Sequence, residues 1–229
     1  MSVYAIADLH LSFGTDKPMD VFGGWTNYTE RIENNWQHLV SPEDTVVIAG
    51  DVSWAMKLTE TEADFSFIDR LNGKKIILKG NHDYWWSTKA KMDKYIAEKN
   101  FSTLSILHNN YYVRDGIALC GSRGWFYDAE TDADMLILKR EAGRLRMSIE
   151  PAVRDGYEPI VFLHYPPICN GMECDEILSV LREFNIKKCF YGHIHGGNAS
   201  KKAFIGEKYG ISFKLVSCDF LGFTPLSVL

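Results

Sequence analysis

The chain has 229 residues, of which 46% are hydrophobic and 13% aromatic, and its net charge at pH 7 is −5. This length fits a single domain over residues 1–229 with a large core, because one α/β domain runs to about 250 residues. The negative net charge provides no basic surface, so stable nucleic-acid binding is not inferred. No protein partner is inferred either. No run approaches the roughly 18 apolar residues of a membrane span.

The N-terminal residues M-S-V-Y-A-I-A-D have no basic segment, and their apolar stretch is too short for a signal peptide. The five cysteines are scattered along the chain, and none forms a C-x-x-C pair. An odd, scattered set of this kind is typical of reduced thiols, several of them buried in strands. We therefore expect a cytoplasmic protein. The cysteines are Cys120, Cys169, Cys174, Cys189 and Cys218.

Short apolar runs rich in Val, Ile and Phe recur along the chain and are cut by glycine or histidine. Runs of this kind are typical of strands that are buried on both faces, with helices packed against them. They lie at 3–7, 45–49, 75–79, 117–120, 159–163 and 188–191.

Apolar residues at helical spacing between these runs predict four helices, at 28–40, 59–71, 131–149 and 175–184. Thr59 and Glu62 have the spacing of a capping box at the start of the second helix. Near the C-terminus, two further strand-like runs, 203–208 and 211–217, are joined at Tyr209-Gly210, and a long loop covers 13–27. The sequence therefore predicts an α/β fold with a β-rich C-terminal end.

Polar side chains follow the predicted strands where each strand ends. Alone, each is weak evidence: G-D and G-N-H-D form turns, and a histidine at a strand end is usually a surface residue. Active sites of open α/β sheets lie at the carboxyl ends of the strands, so together these residues are predicted to converge on one spot. They are Asp8 and His10, Asp51, the run Asn81-His82-Asp83, His164, and the pair His193 and His195.

Carboxylates, imidazoles and an amide oxygen are ligands that suit Mn, Fe, Zn, Ni or Co. Seven or eight such side chains are too many for one tetrahedral ion, and they fit a pair of ions bridged by one carboxylate. Two cations about 3.5–4 Å apart polarise a phosphoryl oxygen and turn a bridging water into a nucleophile. The H-I-H pair can then provide one imidazole to each ion.

The ordered set D-L-H, G-D, G-N-H-D, H and G-H-I-H resembles the motifs of the calcineurin-like metallophosphoesterase superfamily, from Asp8 to His195. The resemblance implies a four-layer α/β/β/α metallophosphoesterase sandwich with a dinuclear metal site. By position, it implies that one ion is held by Asp8, His10 and His195, and the other by Asn81, His164 and His193. Asp51 would bridge the two ions.

The same resemblance implies that His82 is a catalytic residue that is not a metal ligand, and that it acts on the transition state or protonates the leaving oxygen. Asp83 would orient or support it. Protein serine/threonine phosphatases carry D-R-G after the G-D block, whereas this chain has G-D-V-S-W, and the long extra domains of purple acid phosphatases and nucleotidases are missing. The chain thus looks like a small bacterial-type phosphohydrolase.

Arg123 and Asn81 are predicted to bind the substrate. Arg123 follows a strand and is flanked by small residues, and arginine binds phosphate oxygens bidentately; the alternative is a salt bridge or a loop residue. Aromatic residues beside the motifs could form a stacking wall or belong to the core. The helix 131–149 could be a basic lid or a solvated face. The aromatic residues are Trp25, Trp54, Tyr84, Trp85, Trp86, Trp125 and Phe126.

The leading hypothesis is a metal-dependent phosphoesterase that cleaves a phosphodiester, phosphomonoester or pyrophosphate bond in a phosphorylated small-molecule or nucleotide-like substrate. The G-N-H-D form favours diester or pyrophosphate bonds. A noncatalytic metal-binding scaffold of the same fold is the alternative, although a scaffold should have lost ligands that are all present here. A metallo-β-lactamase-type hydrolase is disfavoured because no H-x-H-x-D-H string occurs.

Overall fold

The computed structural model describes residues 1–125 and 131–229, so Phe126 of the predicted aromatic set lies outside the described residues. Five α-helices are present in the described ranges: α1 Tyr28–Leu39, α2 Glu62–Arg70, α3 Lys89–Glu98, α4 Asp132–Arg154 and α5 Asp175–Glu183. The strands in the first half are β1 Val3–Ile6, β2 Thr45–Ile48, β3 Lys74–Ile77, β4 Leu104–Ile106, β5 Tyr112–Arg114 and β6 Ile117–Ser122. Those in the second half are β7 Glu158–Leu163, β8 Ile168–Cys169, β9 Met172–Glu173, β10 Lys188–Tyr191, β11 Gly206–Lys208, β12 Ile211–Leu215 and β13 Leu226–Ser227.

Two large sheets form the centre of the molecule. The first has the order β13-β1-β2-β3-β4 and the second the order β11-β12-β10-β7-β6-β5, with a separate small hairpin of β8 and β9. The central strands of both sheets are parallel, and only edge strands are antiparallel. Parallel strands need both faces covered, which is why their sequences are continuous apolar runs.

Three separate cores show that the layers are helix, sheet, sheet and helix. Alternate residues of β1 point to opposite faces, so Tyr4 and Ile6 pack with Trp36 of α1, whereas Val3 and Ala5 pack between the sheets against Phe162 of β7. On the far side, α4 and α5 cover the second sheet. The predicted four-layer α/β/β/α sandwich is confirmed.

The two sheets are joined by backbone hydrogen bonds at the ends of β1 and β12. The Ala7 amide donates to the Val216 carbonyl over 2.7 Å, and the Cys218 amide donates to the Ala7 carbonyl over 2.9 Å. Gly192, after β10, lies so close that a Cβ there would be 2.5 Å from the Ala7 Cβ. This junction brings the carboxyl ends of strands from both sheets to one edge of the sandwich.

Some local predictions differ from the structure. The run 203–208 forms a strand only from Gly206 to Lys208. The capping box of Thr59 and Glu62 is wrong: a 3₁₀ turn precedes α2, and the Glu60 carboxylate accepts from the amides of Met56 and Lys57 instead. Helix α4 extends to Arg154, beyond the predicted end.

The sequence does not predict helix α3 or the short strands β4, β5, β8, β9 and β13, because short segments give little periodicity and are stabilised by tertiary packing. All five cysteines are buried, and Cys120, Cys169 and Cys189 lie in strands, as expected. None of the helices in the described part of the chain is both long and apolar enough to span a membrane.

Lys75 of β3 is fully buried, and its side chain caps the C-terminus of helix α2. Its ammonium donates to the carbonyls of Asp69 at 3.2 Å and Gly73 at 2.8 Å, and also to that of Leu71. These carbonyls lie at and after the C-terminus of α2, where no intrahelical donor remains. The lysine therefore satisfies acceptors that would otherwise be buried without partners.

We expect Lys75→Met to lower the free energy of unfolding by about 1–3 kcal/mol, because it leaves those buried carbonyls without donors. Urea denaturation followed by circular dichroism measures this. Lys74→Met, at the exposed neighbouring position, is the matched control and should change stability far less. Equal stability of the two variants would contradict the assigned role.

Candidate metal centre

The seven predicted metal ligands lie together at the edge where the two sheets meet. From the first sheet, Asp8 and His10 follow β1, Asp51 follows β2 and Asn81 follows β3. From the second sheet, His164 directly follows β7, and His193 and His195 follow β10. The predicted ligands therefore come from five strand ends in two sheets, and their mutual contacts place them next to one another.

Several ligands have a left-handed backbone, which non-glycine residues rarely adopt. Such conformations persist only where the surrounding structure holds them, and they cluster at functional sites. Here the reversal of the chain after each strand turns the side chain back toward the common centre. The φ values are 59° at Asp8, 47° at His10, 51° at Asp51 and 72° at His193.

Gly50 and Gly80 allow the turns after β2 and β3 to pass against each other. A Cβ at Gly80 would be 2.1 Å from the Asp51 Oδ1 atom, and one at Gly50 would be 2.7 Å from the Gly80 Cα and from the His164 Nδ1. Gly50 also has a φ of +91°. Both glycines are therefore required by close backbone approach, which explains their place in the G-D and G-N-H-D motifs.

The first group of ligands consists of Asp8, His10 and His195, whose ligand atoms lie within 4.8 Å of one another. The rings of His10 and His195 are 5.0 Å apart. Burial lowers the pKa of His10 well below its usual value, so the imidazole is neutral and its ring nitrogen is able to bind a cation. The His10 Nε2 atom is buried and has no hydrogen-bond partner among the described residues.

The second group contains His164, Asn81 and His193. The His164 Nδ1 lies 3.1 Å from the Ala49 carbonyl, and because a carbonyl only accepts, this nitrogen carries the proton. Burial lowers the pKa of His164 to about 3, so its Nε2 has a free lone pair. The His164 Nε2 atom is 2.6 Å from the Asn81 Oδ1 atom, and the same Oδ1 atom is 2.8 Å from the His193 Nδ1 atom.

Asp51 lies between the two groups. Its Oδ2 is 3.8 Å from the His10 Nε2 and 3.5 Å from the His164 Nε2, and it has no hydrogen-bond partner among the described residues. Its Oδ1 accepts from the His82 amide over 2.8 Å. Asp51 and His164 also form a group with Asp8 within 4.8 Å, so Asp8 reaches both halves of the cluster.

These residues fit divalent cations. Burial raises the pKa of both Asp8 and Asp51, because carboxylates lose hydration there, and the charge of Asp51 raises the pKa of Asp8 further. Unpaired carboxylate and imidazole atoms in a buried cluster are costly unless a cation binds them. The Asn81 Oδ1 and the His164 Nε2 are two acceptors that face each other without a proton between them, and a cation would remove this repulsion. A mixed oxygen and nitrogen donor set suits transition metals.

His82 lies beside the cluster, half-buried, with its amide on Asp51. Its ring centroid is 4.5 Å from that of Trp54 and 5.7 Å from that of His10. The His82 Nδ1 is 3.3 Å from the Tyr84 hydroxyl. The ring is therefore positioned by two aromatic residues at the rim of the metal site.

Asp83 has a different role from the one expected. Its carboxylate accepts from the amides of Gly80 at 2.7 Å, Asp51 at 2.9 Å and Val52 at 2.9 Å, and from the Trp85 indole at 3.0 Å. Within the described residues, its hydrogen bonds go to backbone amides and to Trp85, and none goes to the His82 ring. Asp83 thus fixes the backbone of the turns after β2 and β3, which carry Asp51 and Asn81.

Arg123 forms an ion pair with the buried Glu141 of α4, with 3.4 Å between Nη2 and Oε1. Arg144 is 3.8 Å from the same carboxylate oxygen, and Lys79 lines the same small pocket. The Arg123 carbonyl accepts from the amide of His164 over 3.1 Å, so this basic cluster borders the metal site. The inner side of α4 therefore packs on the second sheet, and its Glu141 is paired with Arg123 and Arg144. Contact between Arg123 and a substrate phosphate stays a prediction.

The aromatic residues divide between the site and the core. Trp54 stacks on His10 at 4.9 Å, Trp25 packs edge-on against the same ring at 5.9 Å, and Tyr84 is exposed beside His82. Trp85 belongs to the core, with its indole on Asp83. Trp86 is partly buried against that core, and Trp125 lies under the Arg123 guanidinium at 4.6 Å.

One residue at the site was missed. The Asp219 Oδ2 accepts from the Gly196 amide over 2.6 Å and so holds the glycine turn that follows His195. Asp219 comes just after β12, and an aspartate at a strand end is the signal that found Asp8 and Asp51. The run 211–217 is followed by Asp219 in the same way as the runs before Asp8 and Asp51 are followed by their aspartates.

A family model described as calcineurin-like phosphoesterase matches residues 1–197. The chain belongs to this family. As a calcineurin-like phosphoesterase it is a metal-dependent hydrolase that acts on phosphoric esters, and its Asp and His groups are placed to bind metal. No curated protein matches the chain.

Solved structures show the same fold. Phosphopantetheinyl hydrolase (PptH) from Mycobacterium tuberculosis is 15% identical with a TM-score of 0.57, and the match covers 100% of this chain and 95% of that one. TT1561 of Thermus thermophilus is 11% identical with a TM-score of 0.57, and the match covers 84% of this chain and 81% of that one. At these identities the likeness extends to the fold alone.

We expect Asp83→Asn to lower both stability and metal affinity, because the new amide group places donors against backbone donors. The loss of unfolding free energy should be about 2 kcal/mol or more, since several buried amides lose an acceptor. Thermal unfolding and a metal titration measure the two effects. Asp93→Asn, on the exposed face of α3, is the control; if Asp83→Asn behaved like it, the backbone role of Asp83 would be wrong.

Proposed function

We propose that this phosphoesterase uses two divalent or transition-metal ions, of Mn, Fe, Zn, Ni or Co, to hydrolyse a phosphodiester, phosphomonoester or pyrophosphate bond. The observation that supports it best is the unpaired Asp51 Oδ2, which lies 3.8 Å from a ring nitrogen of the first ligand group and 3.5 Å from one of the second. The proposal treats residues 1–229 as one cytoplasmic domain with one catalytic site.

In this proposal Asp8, His10 and His195 hold one ion, and Asn81, His164 and His193 hold the other. Asp51 serves both. Two such ions, when bound, would polarise a phosphoryl oxygen of the substrate and lower the pKa of a bound water. The Ala49 carbonyl orients the His164 ring, and Trp54 and Trp25 hold the His10 ring, so the chain itself fixes the directions in which the ligand nitrogens point.

His82 is the proposed catalytic acid. The Tyr84 hydroxyl lies against its Nδ1, which leaves the Nε2 to face the substrate and to give a proton to the leaving oxygen. Asn81, whose amide oxygen would bind the second ion, borders the same space, and Arg123 would bind a phosphate oxygen at its margin. The substrate is a phosphorylated small molecule or a nucleotide-like compound, and the G-N-H-D motif favours diester or pyrophosphate bonds.

The competing proposal is a noncatalytic scaffold of the same fold. It is disfavoured because every ligand position and His82 are filled and lie together. Turnover of matched nitrophenyl monoester and diester substrates by the metal-loaded protein distinguishes the two proposals. Activity on either substrate excludes a scaffold, and the ratio of the two rates separates a monoesterase from a diesterase.

We expect the wild-type protein to bind two metal ions per chain after loading with excess manganese, as measured by elemental analysis. Asp51→Asn should lose more metal than any other single ligand substitution, because its carboxylate serves both ions. Replacement of His195 by alanine is the comparison, since it removes a ligand from one ion only. One ion or none in the wild type would contradict the dinuclear site.

We expect His82→Ala to keep both ions and to lose catalysis by about 10²–10⁴-fold, the range that a positioned general acid contributes. The loss should be largest for poor alcohol leaving groups and smaller for nitrophenolate, which departs without a proton. Metal stoichiometry and kcat/KM over a leaving-group series provide the measurement, with Tyr84→Phe as the milder variant. An equal loss for all leaving groups would indicate charge stabilisation, and loss of an ion would mean that His82 is a ligand.

A further inference from the structure

An open cleft runs past the metal site on the side of His195. One part of it, the apolar end, is a pocket of about 290 Å³ that is lined by Trp54, Met19 and Phe22. A neighbouring pocket of about 320 Å³ shares Met19 and Phe22 with it and is also lined by His195. Gly23 and Gly196 form part of the second space, and a Cβ at either would meet nothing within 4 Å, so the cleft stays open.

The loop 13–27 presents apolar side chains to this cleft and does not bury them. Val21 is 73% exposed and Phe22 is 56% exposed, whereas Met19 and Trp25 on either side are buried. The buried residues anchor the loop, and the Asp20 carboxylate accepts from the Asn27 amide over 3.0 Å to close it. Exposed apolar side chains beside a polar site are one of the features by which ligand-binding grooves are recognised.

Trp54 connects the cleft to the reacting centre. Its ring stacks on the ligand His10 and lies against the proposed acid His82, and it also forms a wall of the apolar end. Lys17 places its ammonium 4.9 Å above the same indole. A group attached to a phosphate at the metal site would therefore lie directly against Trp54 and Phe22.

We propose that this cleft binds an apolar alkyl or aryl group that is esterified to the phosphate of the substrate. The proposal rests on the proposed function, and it narrows the substrate to organic phosphoesters with a large apolar substituent. The two pockets that form the cleft share Met19 and Phe22, one of them is lined by the predicted ligand His195, and each has room for a small organic group. A small or fully charged substrate, such as inorganic pyrophosphate, would leave this surface unused and would gain nothing from it.

The test uses alkylphosphonates, which keep the charged head and cannot be hydrolysed. Each fully buried methylene is worth about fourfold in affinity, so the dissociation constant should fall at least about tenfold from methyl- to octylphosphonate on the metal-loaded protein, by calorimetry. Phe22→Ser should remove most of that gain, and Phe22→Leu should keep it. Met147→Ser, on the exposed face of α4 far along the chain, is the matched control and should leave the gain unchanged.

The outcomes separate the two proposals. Equal affinity for methyl- and octylphosphonate, or a chain-length gain that survives in Phe22→Ser, overturns the cleft assignment while phosphonate binding and ester turnover still support the phosphoesterase site. Failure of every phosphonate to bind, together with no turnover of any nitrophenyl ester, overturns the proposed function as well. With methyl and octyl nitrophenyl diesters, which share one leaving group, the octyl ester should show the lower KM.

Discussion

The structure depends on the burial of carboxylates where two parallel sheets meet. Asp8, Asp51 and Asp83 are at most 1% exposed, and each must be compensated because a buried charge without a partner is costly. The chain compensates Asp83 with backbone amides. Asp8 receives the amide of His193 at 2.9 Å, and Asp51 retains a carboxylate oxygen that no described group contacts by a hydrogen bond. Backbone amides and a bound cation would therefore compensate the buried negative charge at this edge together, which couples folding to metal binding.

That balance explains the unusual backbone around the site. Parallel strands end at one edge, and the chain must reverse at once for a side chain to return to the centre, which gives the positive φ values of Asp8, Asp51 and His193. The amide donors to Asp83 hold two of these turns, and Gly50 and Gly80 leave room for them to touch. The motif glycines and Asp83 thus support the turns that carry Asp51 and Asn81.

The aromatic residues connect this rigid centre to a more open surface. Trp54 and Trp25 fix the His10 ring on one side and form walls of the cleft on the other. The same side chains therefore orient His10, a predicted metal ligand, and shape the space beside it. The ion-paired residues Arg123, Glu141 and Arg144 lie next to His164, whose amide donates to the Arg123 carbonyl. One surface beside the site is therefore aromatic and another is charged.

The sequence by itself determined which side chains gather at the site, since Asp, Asn and His at five strand ends need only the rule that parallel strands end at a common edge; their roles as metal ligands stay a prediction. It also determined the layer order through its resemblance to a family, and most of the long helices through their periodicity. Only the tertiary structure decided that Asp83 binds backbone amides, that Arg123 pairs with Glu141, that Asp219 holds the turn after His195 and that Phe22 stays exposed beside Trp54. These depend on contacts between residues far apart in the chain, and local spacing contains no information about such contacts.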